Sequence, residues 1–192
     1  MIVTVLTPTF NRGGSLNNLY QSLQKQTIKD FEWLLVDDGS TDDTKNIAEE
    51  MREKAEFPMR YIYKENGGKH TALNVGVKQI TSELTFIVDS DDTLVPDAIE
   101  TILQYHKKYG EKKDLCGYSF LRRFPDGKIN GKPFEPDEKV GTYIQCRINA
   151  DDTQADKAEV FYTRCLKEFP FPEYRNEKFL GEDLVWIRMA LK

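Results

Sequence analysis

The sequence predicts an α/β fold in which a mostly parallel β-sheet is covered by helices on both faces. In the first half of the chain, short apolar runs rich in β-branched residues alternate with segments whose apolar residues recur at helical spacing. Strands separated by single helices imply right-handed crossovers, which make the strands parallel and place the helices on the faces of the sheet. Polar clusters follow three of the runs. Because such sheets bind ligands outside the carboxyl ends of their strands, a binding site is expected at this edge.

The first half of the chain supplies four predicted strands and four predicted helices. The strands are predicted at residues 2–7, 31–36 and 84–88, which are mainly apolar, and at residues 59–63, where polar and apolar residues alternate. Ser15 is the expected cap of the first helix, and Thr41 or Asp42 of the second, because such side chains accept hydrogen bonds from the free N–H groups at a helix start. The third helix follows Gly67-Gly68, and Pro96 suits the first turn of the fourth.

Beyond residue 113 the apolar pattern is less regular. It predicts, in order, a strand at 115–123, a hairpin turn at 125–128, long loops at 130–158, a short strand at 159–163 and a helix at 181–191. A chain of 192 residues fits one domain. We therefore expect a single domain, with a regular half at residues 1–110 and a less regular half at 111–192.

Composition excludes several classes of protein. The net charge of -5 gives no basic face for nucleic acid, and the basic pairs Lys107-Lys108 and Arg122-Arg123 are interpreted as solvated surface. The three cysteines form no CxxC pair, so a structural zinc site is not expected, and reduced thiols favour a cytoplasmic protein. No apolar run approaches the roughly 18 residues of a membrane span, although work beside a membrane remains compatible with the sequence.

The acidic cluster Asp89-Ser90-Asp91-Asp92 is the most specific chemical feature. Three carboxylates within four residues, directly after an apolar strand, repel one another unless a cation or hydrogen-bond donors neutralise them. Hard oxygen ligands suit Mg²⁺ or Mn²⁺, and Mg²⁺ is commonly bound together with the phosphates of a substrate. The alternative is an acidic helix-capping turn, which accounts for one aspartate more easily than for three.

A second acidic cluster, Asp37 to Asp43, follows the second predicted strand. A turn at Gly39 and a helix cap at Thr41 or Asp42 explain most of it. They explain less well why two aspartates directly end a buried strand, where one carboxylate could accept a hydrogen bond from a bound nucleobase.

Four motifs in this order resemble the family 2 glycosyltransferases, whose fold is called GT-A. The motifs lie at residues 7–12, 36–42, 66–74 and 89–92, and the match covers roughly residues 1–105. The resemblance implies a metal-dependent inverting enzyme that moves a sugar from a nucleoside-diphosphate sugar, with UDP favoured, to a hydroxyl of a saccharide or lipid-linked saccharide. It also implies a role in surface glycan or cell-envelope polysaccharide synthesis, in the cytoplasm or at the inner face of the cell membrane. Residues 1–110 would bind the donor, and 111–192 would bind the acceptor and hold the general base, in a catalytic module that stops short of a full acceptor site.

The resemblance assigns ten residues to the nucleotide sugar. They are Pro8, Thr9, Phe10, Asn11, Arg12, Asp38, Lys69, Asp89, Ser90 and Asp91. The ring of Phe10 would form part of the wall around the nucleobase, and Asp38 would accept a hydrogen bond from an N–H of uracil. Lys69 would lie near the nucleobase or the diphosphate.

Different residues of the acidic cluster would bind the sugar and the metal. Asp89 would reach the ribose or the sugar, and Asp91 would bind Mn²⁺ or Mg²⁺ directly, with Asp92 as a second metal contributor. The ion would neutralise charge on the departing nucleoside diphosphate.

A late acidic pair, Glu182-Asp183, resembles the family's general-base motif. An inverting transfer needs one carboxylate that takes the proton of the acceptor hydroxyl, and Asp183 is the residue expected to do so. The alternative is that both acids are favoured by the dipole of the helix that follows.

Two other readings use the same residues. The run Phe86 to Leu94 resembles the nucleophile loop of haloacid-dehalogenase-type phosphatases, in which Asp89 would be phosphorylated and Asp91 would be the acid and base. That loop has a glycine where this chain has Asp92. The other reading is a non-catalytic nucleotide-binding module.

Overall fold

A six-stranded sheet forms the centre of the computed structural model, which describes residues 1–110, 112–150 and 155–192. The strands are β1 (Val3–Thr9), β2 (Phe31–Asp37), β3 (Met59–Tyr63), β4 (Leu84–Ile87), β5 (Gly117–Leu121) and β6 (Lys157–Tyr162). The helices are α1 (Gly13–Gln24), α2 (Thr44–Lys54), α3 (Lys69–Gln79), α4 (Ala98–Tyr109), α5 (Thr163–Glu168) and α6 (Asp183–Ala190). A π-helical turn spans Ile144–Ile148.

The sheet is parallel over its first four strands and mixed at one side. Its order is β3-β2-β1-β4-β6-β5, and β1 pairs in parallel with both β2 and β4. Strand β6 runs antiparallel to β4 and to β5, between which it lies. The carboxyl ends of β1, β2 and β4 therefore meet at one edge, together with the amino end of β6. The predicted α/β class with a mostly parallel sheet is confirmed.

Apolar side chains bury both faces of the sheet. On one face Trp33 is fully buried against Tyr20 of α1, with ring centroids 6.2 Å apart, and Phe31 lies 4.7 Å from Phe57. On the other face Gly76 of α3 comes so close to β1 that an added Cβ would lie 2.3 Å from a methyl group of Leu6. Burial of large apolar side chains such as these stabilises the fold by about 1.5–3 kcal/mol each.

Three helix starts differ from the prediction by one to three residues. Helix α1 begins at Gly13, so Ser15 lies inside the first turn, where its hydroxyl donates to the carbonyl of Arg12. Helix α2 begins at Thr44, after the cap position Asp43, although Asp42 still accepts a hydrogen bond from the Thr44 N–H. Helix α4 begins at Ala98, so Pro96 precedes it. The residues predicted at the helix starts are of suitable chemical types. Each helix nevertheless begins at a position a few residues away from the predicted one.

The second half holds more regular structure than the sequence predicts. Strand β6 begins at Lys157 rather than at 159, and Thr163 starts helix α5 instead of ending the strand. The segment 130–158, predicted as loops, also contains the π-helical turn; residues 151–154 lie outside the described residues. The hairpin turn at 125–128 is confirmed by the hydrogen bond from Phe124 N to Lys128 O, 2.8 Å.

Candidate functional site

The three polar segments at the carboxyl edge of the sheet contact one another. Ser40 accepts a hydrogen bond from the backbone N–H of Asn11, and the Asn11 side chain accepts one from Thr41 N, both 2.8 Å. Arg12 reaches the acidic cluster, with Nη1 3.7 Å from Asp91 Oδ2. The segments after β1, β2 and β4 therefore form one continuous surface, as their positions after parallel strands predict.

The end of β1 supplies two buried residues and one exposed ring. Pro8 and Thr9 are buried, and Oγ1 of Thr9 has no hydrogen-bond partner among the residues that the structure describes. The Phe10 side chain is exposed and is free to lie against a planar ligand. Asn11 has a φ of 51°, which turns the chain out of the strand toward α1.

Asp38 is buried and holds the loop between β3 and α3. Its Oδ1 accepts hydrogen bonds from Lys64 Nζ (2.5 Å) and Gly67 N (3.0 Å), and its Oδ2 from Asn66 Nδ2 (3.1 Å) and Gly68 N (2.7 Å). A carboxylate offers about four acceptor positions, and these four donors fill them. A nucleobase N–H that bonds to Asp38 therefore has to take the place of one of these donors.

Gly68 joins this loop to the second half of the chain. Its φ of 97° and ψ of 156° lie in a region that only glycine adopts readily, and an added Cβ would lie 2.1 Å from the carbonyl oxygen of Lys178. The Lys178 ammonium donates to Asn66 Oδ1 at 2.6 Å. The segment around Lys178 thus lies directly against the loop that Asp38 organises.

Each aspartate of the acidic cluster contacts its own cation. Asp89 lies 2.5 Å from the ammonium of Lys69, Asp91 contacts Arg12, and Asp92 forms a close ion pair with Arg122. Ser90 between them is buried. The sequence predicts mutual repulsion among these acids, and in this structure cations from α3, from the β1 loop and from the segment after β5 relieve it.

A cavity of about 40 Å³ opens beside this cluster. Its walls come from β4, β6, the segment after β5 and the start of α6. The lining residues are Ile87, Asp89, Asp92, Arg122, Lys157, Glu159 and Glu182. Lys69 stands at its border, because the same ammonium that contacts Asp89 also lies 2.7 Å from Oε1 of Glu182.

Burial and charge shift the pKa of three groups here. Burial acts against the charged form of Lys69, but the carboxylates of Glu182 and Asp89 outweigh it and raise the pKa of Lys69. Burial raises the pKa of Asp92, and Arg122 opposes the effect. Burial also raises the pKa of Glu159 to about 7, although Arg147 and Ser119 favour its ionised form.

The two late acids have different surroundings. Glu182 points toward the cavity and Lys69, whereas Asp183 is exposed at the start of α6. Among the described residues, no hydrogen bond or ion pair to the Asp183 carboxylate is present. Helix α6 begins at Asp183, so the helix dipole favours a charged carboxylate there as well.

The residues fit a divalent cation whose ligands come partly from the protein and partly from a substrate. No group of three or more His, Cys, Asp or Glu side chains arranged for a metal occurs within residues 1–110, 112–150 and 155–192. Asp91 and Asp92 offer two carboxylates, and Asp91 is half-exposed. Mg²⁺ is usually held by one or two carboxylates together with substrate phosphates and water, so this pair suffices.

Sequence reasoning missed four charged residues of the site. Lys64 holds Asp38, while Arg122, Lys157 and Glu159 line the cavity. Arg122 was expected on the solvated surface; its side chain is instead paired with Asp92 and mostly covered. One signal was available: Lys157 and Glu159 alternate with apolar neighbours, which is typical of a strand with one polar face.

A family model described as glycosyl transferase family 2 matches residues 4–160. The chain belongs to this family. The match confirms the resemblance that the four motifs indicate. It also leaves the phosphatase reading without support, because the acidic cluster lies inside the matched glycosyltransferase region.

Family 2 relatives resemble the chain over part or all of its length. A Campylobacter jejuni protein named GalNAc(5)-diNAcBac-PP-undecaprenol beta-1,3-glucosyltransferase is 34% identical over 194 aligned positions, which cover 97% of this chain and 59% of that protein. The poly(ribitol-phosphate) beta-N-acetylglucosaminyltransferase TarP of Staphylococcus aureus is 32% identical over 108 residues, 55% of this chain and 33% of TarP. The chain therefore spans between about a third and three fifths of these relatives.

A solved structure confirms the GT-A fold. S. aureus TarS, residues 1–349, in complex with UDP superimposes with a TM-score of 0.77 at 26% sequence identity. The superposition covers 100% of this chain and 55% of the TarS chain. The same TarS fragment has also been solved with UDP-GlcNAc.

Proposed function

We propose that this family 2 chain is the catalytic part of a metal-dependent, inverting glycosyltransferase that uses a UDP-sugar. The acceptor would be a hydroxyl group of a saccharide or lipid-linked saccharide in the synthesis of a cell-envelope glycan. The observation that carries the proposal is the arrangement around Asp89, Asp91 and Asp92. These acids follow β4, and the side chains of Lys69, Arg12 and Arg122 contact them from neighbouring segments.

Two observations favour UDP among the nucleotides. TarS, which shares the fold at 26% identity, has been solved with UDP and with UDP-GlcNAc. Asp38 lies at the end of β2, beside the Pro8–Phe10 segment, and a carboxylate there suits the N–H of uracil. Guanine also carries an N–H in such a place, so binding experiments have to separate the two.

The donor would lie along the carboxyl edge with its diphosphate at the acidic cluster. When bound by Asp91 and Asp92, Mn²⁺ or Mg²⁺ would supply Lewis-acid stabilisation of the departing diphosphate. Lys69 holds Asp89 and Glu182 in position, because its ammonium contacts both carboxylates. The exposed ring of Phe10 offers a flat surface to the nucleobase.

Asp183 is the proposed general base. Its carboxylate is exposed and open to an acceptor hydroxyl, whereas the carboxylate of Glu182 is already in contact with the ammonium of Lys69. Asp183 would take the proton of the acceptor hydroxyl as its oxygen bonds to the anomeric carbon. The bond from that carbon to the diphosphate oxygen breaks at the same time, and the nucleoside diphosphate leaves with the electron pair.

The cellular setting is proposed by analogy with the relatives. The Campylobacter protein is named for an undecaprenol-linked acceptor and TarP for a poly(ribitol-phosphate) acceptor. A lipid-linked or polymeric acceptor would place the enzyme in the cytoplasm, at the inner face of the cell membrane. Within the described residues, no helix is long and apolar enough to cross a membrane.

Calorimetric titration with UDP, GDP, CDP and ADP, each with Mn²⁺ and with EDTA, tests the proposal. We expect one diphosphate, UDP, to bind in the micromolar range with Mn²⁺ and to lose most of its affinity in EDTA. Absence of binding by all four to the folded protein would contradict the proposal. Binding without any release of UDP from UDP-sugars would instead favour a non-catalytic nucleotide-binding module.

Asp91→Asn tests the metal assignment. Replacing one of two metal carboxylates with an amide should reduce Mn²⁺-dependent UDP affinity by about tenfold or more, because a charged ligand is lost. Asp30→Asn is the matched control, since Asp30 is exposed just before β2, at the opposite edge of the sheet. Full Mn²⁺-dependent affinity in Asp91→Asn would remove Asp91 from the metal site.

A further inference from the structure

Glu159 is a charged residue inside the sheet whose role the proposed chemistry leaves open. It lies on β6, where Phe86 of β4 pairs with Val160, so Glu159 comes beside the end of β4 and the acidic cluster. Side chains two apart on a strand share a face, and both Lys157 and Glu159 line the cavity with Asp89. The sheet thus brings a carboxylate from the second half of the chain to the proposed donor site.

The contacts of Glu159 fix one of its oxygens and leave the other available. Oε1 accepts a hydrogen bond from Ser119 Oγ at 3.2 Å and lies 3.5 Å from Nη1 of the buried Arg147. No hydrogen bond or ion pair to Oε2 is present among the described residues. A carboxylate oxygen without a partner beside a cavity can accept a hydrogen bond from a ligand.

The cavity selects the kind of group that can bind there. Four carboxylates and two cations line it, so a phosphate would meet more repulsion than attraction. A hydroxyl group is neutral and donates a hydrogen bond, which suits a carboxylate. A volume of about 40 Å³ holds a substituent of a few heavy atoms, because a single water needs about 10–15 Å³, and it is too small for a whole sugar ring.

We propose that Glu159 is a positioning residue for the donor sugar, and that it accepts a hydrogen bond from a hydroxyl or hydroxymethyl group that enters this cavity. The inference rests on the proposed function, because it requires a nucleotide sugar whose diphosphate lies at the neighbouring acidic cluster. Ser119 and Arg147 hold the carboxylate in place, and Asp89 lines the same cavity. Glu159 would therefore help to decide which sugar is accepted.

Comparing a nucleotide with its own sugar conjugates tests this assignment. UDP, UDP-glucose and UDP-GlcNAc are titrated with Mn²⁺ into the parent protein, Glu159→Gln and Glu159→Asp. We expect Glu159→Gln to bind UDP as the parent does but to lose about tenfold or more in affinity for the UDP-sugar that the parent prefers, since a charge-assisted hydrogen bond is weakened. Glu159→Asp keeps the charge on a shorter side chain and should lose less.

The controls separate the possible failures. Glu53→Gln, on the exposed face of α2, makes the same chemical change away from the cavity and should leave every affinity unchanged. If the parent binds neither UDP nor its sugars, the proposed function fails. If UDP binds but Glu159→Gln weakens UDP and the UDP-sugars equally, or weakens neither, Glu159 does not position the donor. An unchanged donor affinity with a raised KM for an acceptor would likewise overturn the donor assignment.

Discussion

At the scale of single side chains, the neighbouring acids Glu182 and Asp183 show how one contact separates two roles. Lys69 lies 2.7 Å from Glu182 and stabilises its charge, while Asp183 is exposed at the start of α6. A carboxylate oxygen that already contacts an ammonium is less accessible to an incoming hydroxyl than an oxygen of an exposed carboxylate. The sequence presents the two acids as equivalent; only the position of Lys69 distinguishes them.

Asp183→Asn should abolish turnover while the donor still binds. A positioned general base contributes about 10²–10⁴-fold to a rate, so the release of UDP from UDP-sugar should fall by about that factor, with UDP affinity unchanged. Glu182→Gln is the matched comparison, and it should disturb donor binding more than Asp183→Asn does because Lys69 loses a partner. If Glu182→Gln lowers the rate more than Asp183→Asn does, the base assignment is reversed.

Glu159 should make stability fall as pH rises. Burial raises its pKa in the folded protein to about 7 from an ordinary value of 4.5. Between those two values the unfolded chain loses a proton that the folded protein keeps, so the free energy of unfolding decreases with pH and levels off above pH 7. Urea unfolding of the parent and Glu159→Gln should show the variant gaining about 2 kcal/mol relative to the parent between pH 5 and pH 8. An equal stability difference at the two pH values would show that the Glu159 carboxyl has an ordinary pKa.

The sequence predicts the acidic cluster and names Arg12 and Lys69 as site residues, but it does not predict Arg122 or Glu159. Asp89, Asp91 and Asp92 were recognised because three acids directly after an apolar strand need neutralisation. Arg122 and Glu159 were missed because their contacts join positions far apart in the chain, such as the 30 residues between Asp92 and Arg122. Residue type and spacing carry no information about such pairings.

At the scale of secondary structure, the loop from Lys64 to Gly68 is shaped by contacts at both of its ends. Asp38 accepts four hydrogen bonds from it, and Lys178 packs on Gly68. Position 68 requires glycine for two reasons: its φ is positive, and a Cβ would collide with the carbonyl oxygen of Lys178. A single added methyl group at position 68 should therefore have a large effect on this loop.

Gly68→Ala should destabilise the protein by about 2–4 kcal/mol, because the new Cβ meets the Lys178 carbonyl and the backbone conformation is strained. Gly14→Ala is the matched control: an added Cβ there has no neighbour within 4 Å, and alanine favours α1 by up to about 1 kcal/mol. Urea unfolding measures both. A similar stability of the two variants would show that the loop can move away from Lys178.

The strands and helices of the first half could be predicted because each has a complete local pattern. Residues 31–36 are apolar except for Glu32, as expected of a strand that is buried on both faces over most of its length, and β2 is observed at Phe31–Asp37. The second half lacked such patterns. Strand β6 lies between β4 and β5 in the sheet. It nevertheless carries Lys157 and Glu159, because its polar face lines the cavity.

At the scale of the whole molecule, the sheet joins the two halves that the sequence predicts. Strands β1 to β4 and their helices form the parallel part, and β6 inserts between β4 and β5 in the opposite direction. The reversal could not be read from the sequence, since periodicity identifies a strand without its neighbour or direction. It brings the cavity residues of β6 next to those of β4. The proposed site therefore contains residues from both parts of the chain, 1–110 and 111–192.

The contact between Asn66 and Lys178 also bears on how the protein forms during synthesis. The two residues are 112 positions apart, so this contact can form only after the chain has been synthesised as far as Lys178. When the ribosome has made only the first half of the chain, the loop between β3 and α3 lacks its contacts with the segment around Lys178. The proposed nucleotide-binding surface therefore reaches its final shape only after the segment around Lys178 has emerged.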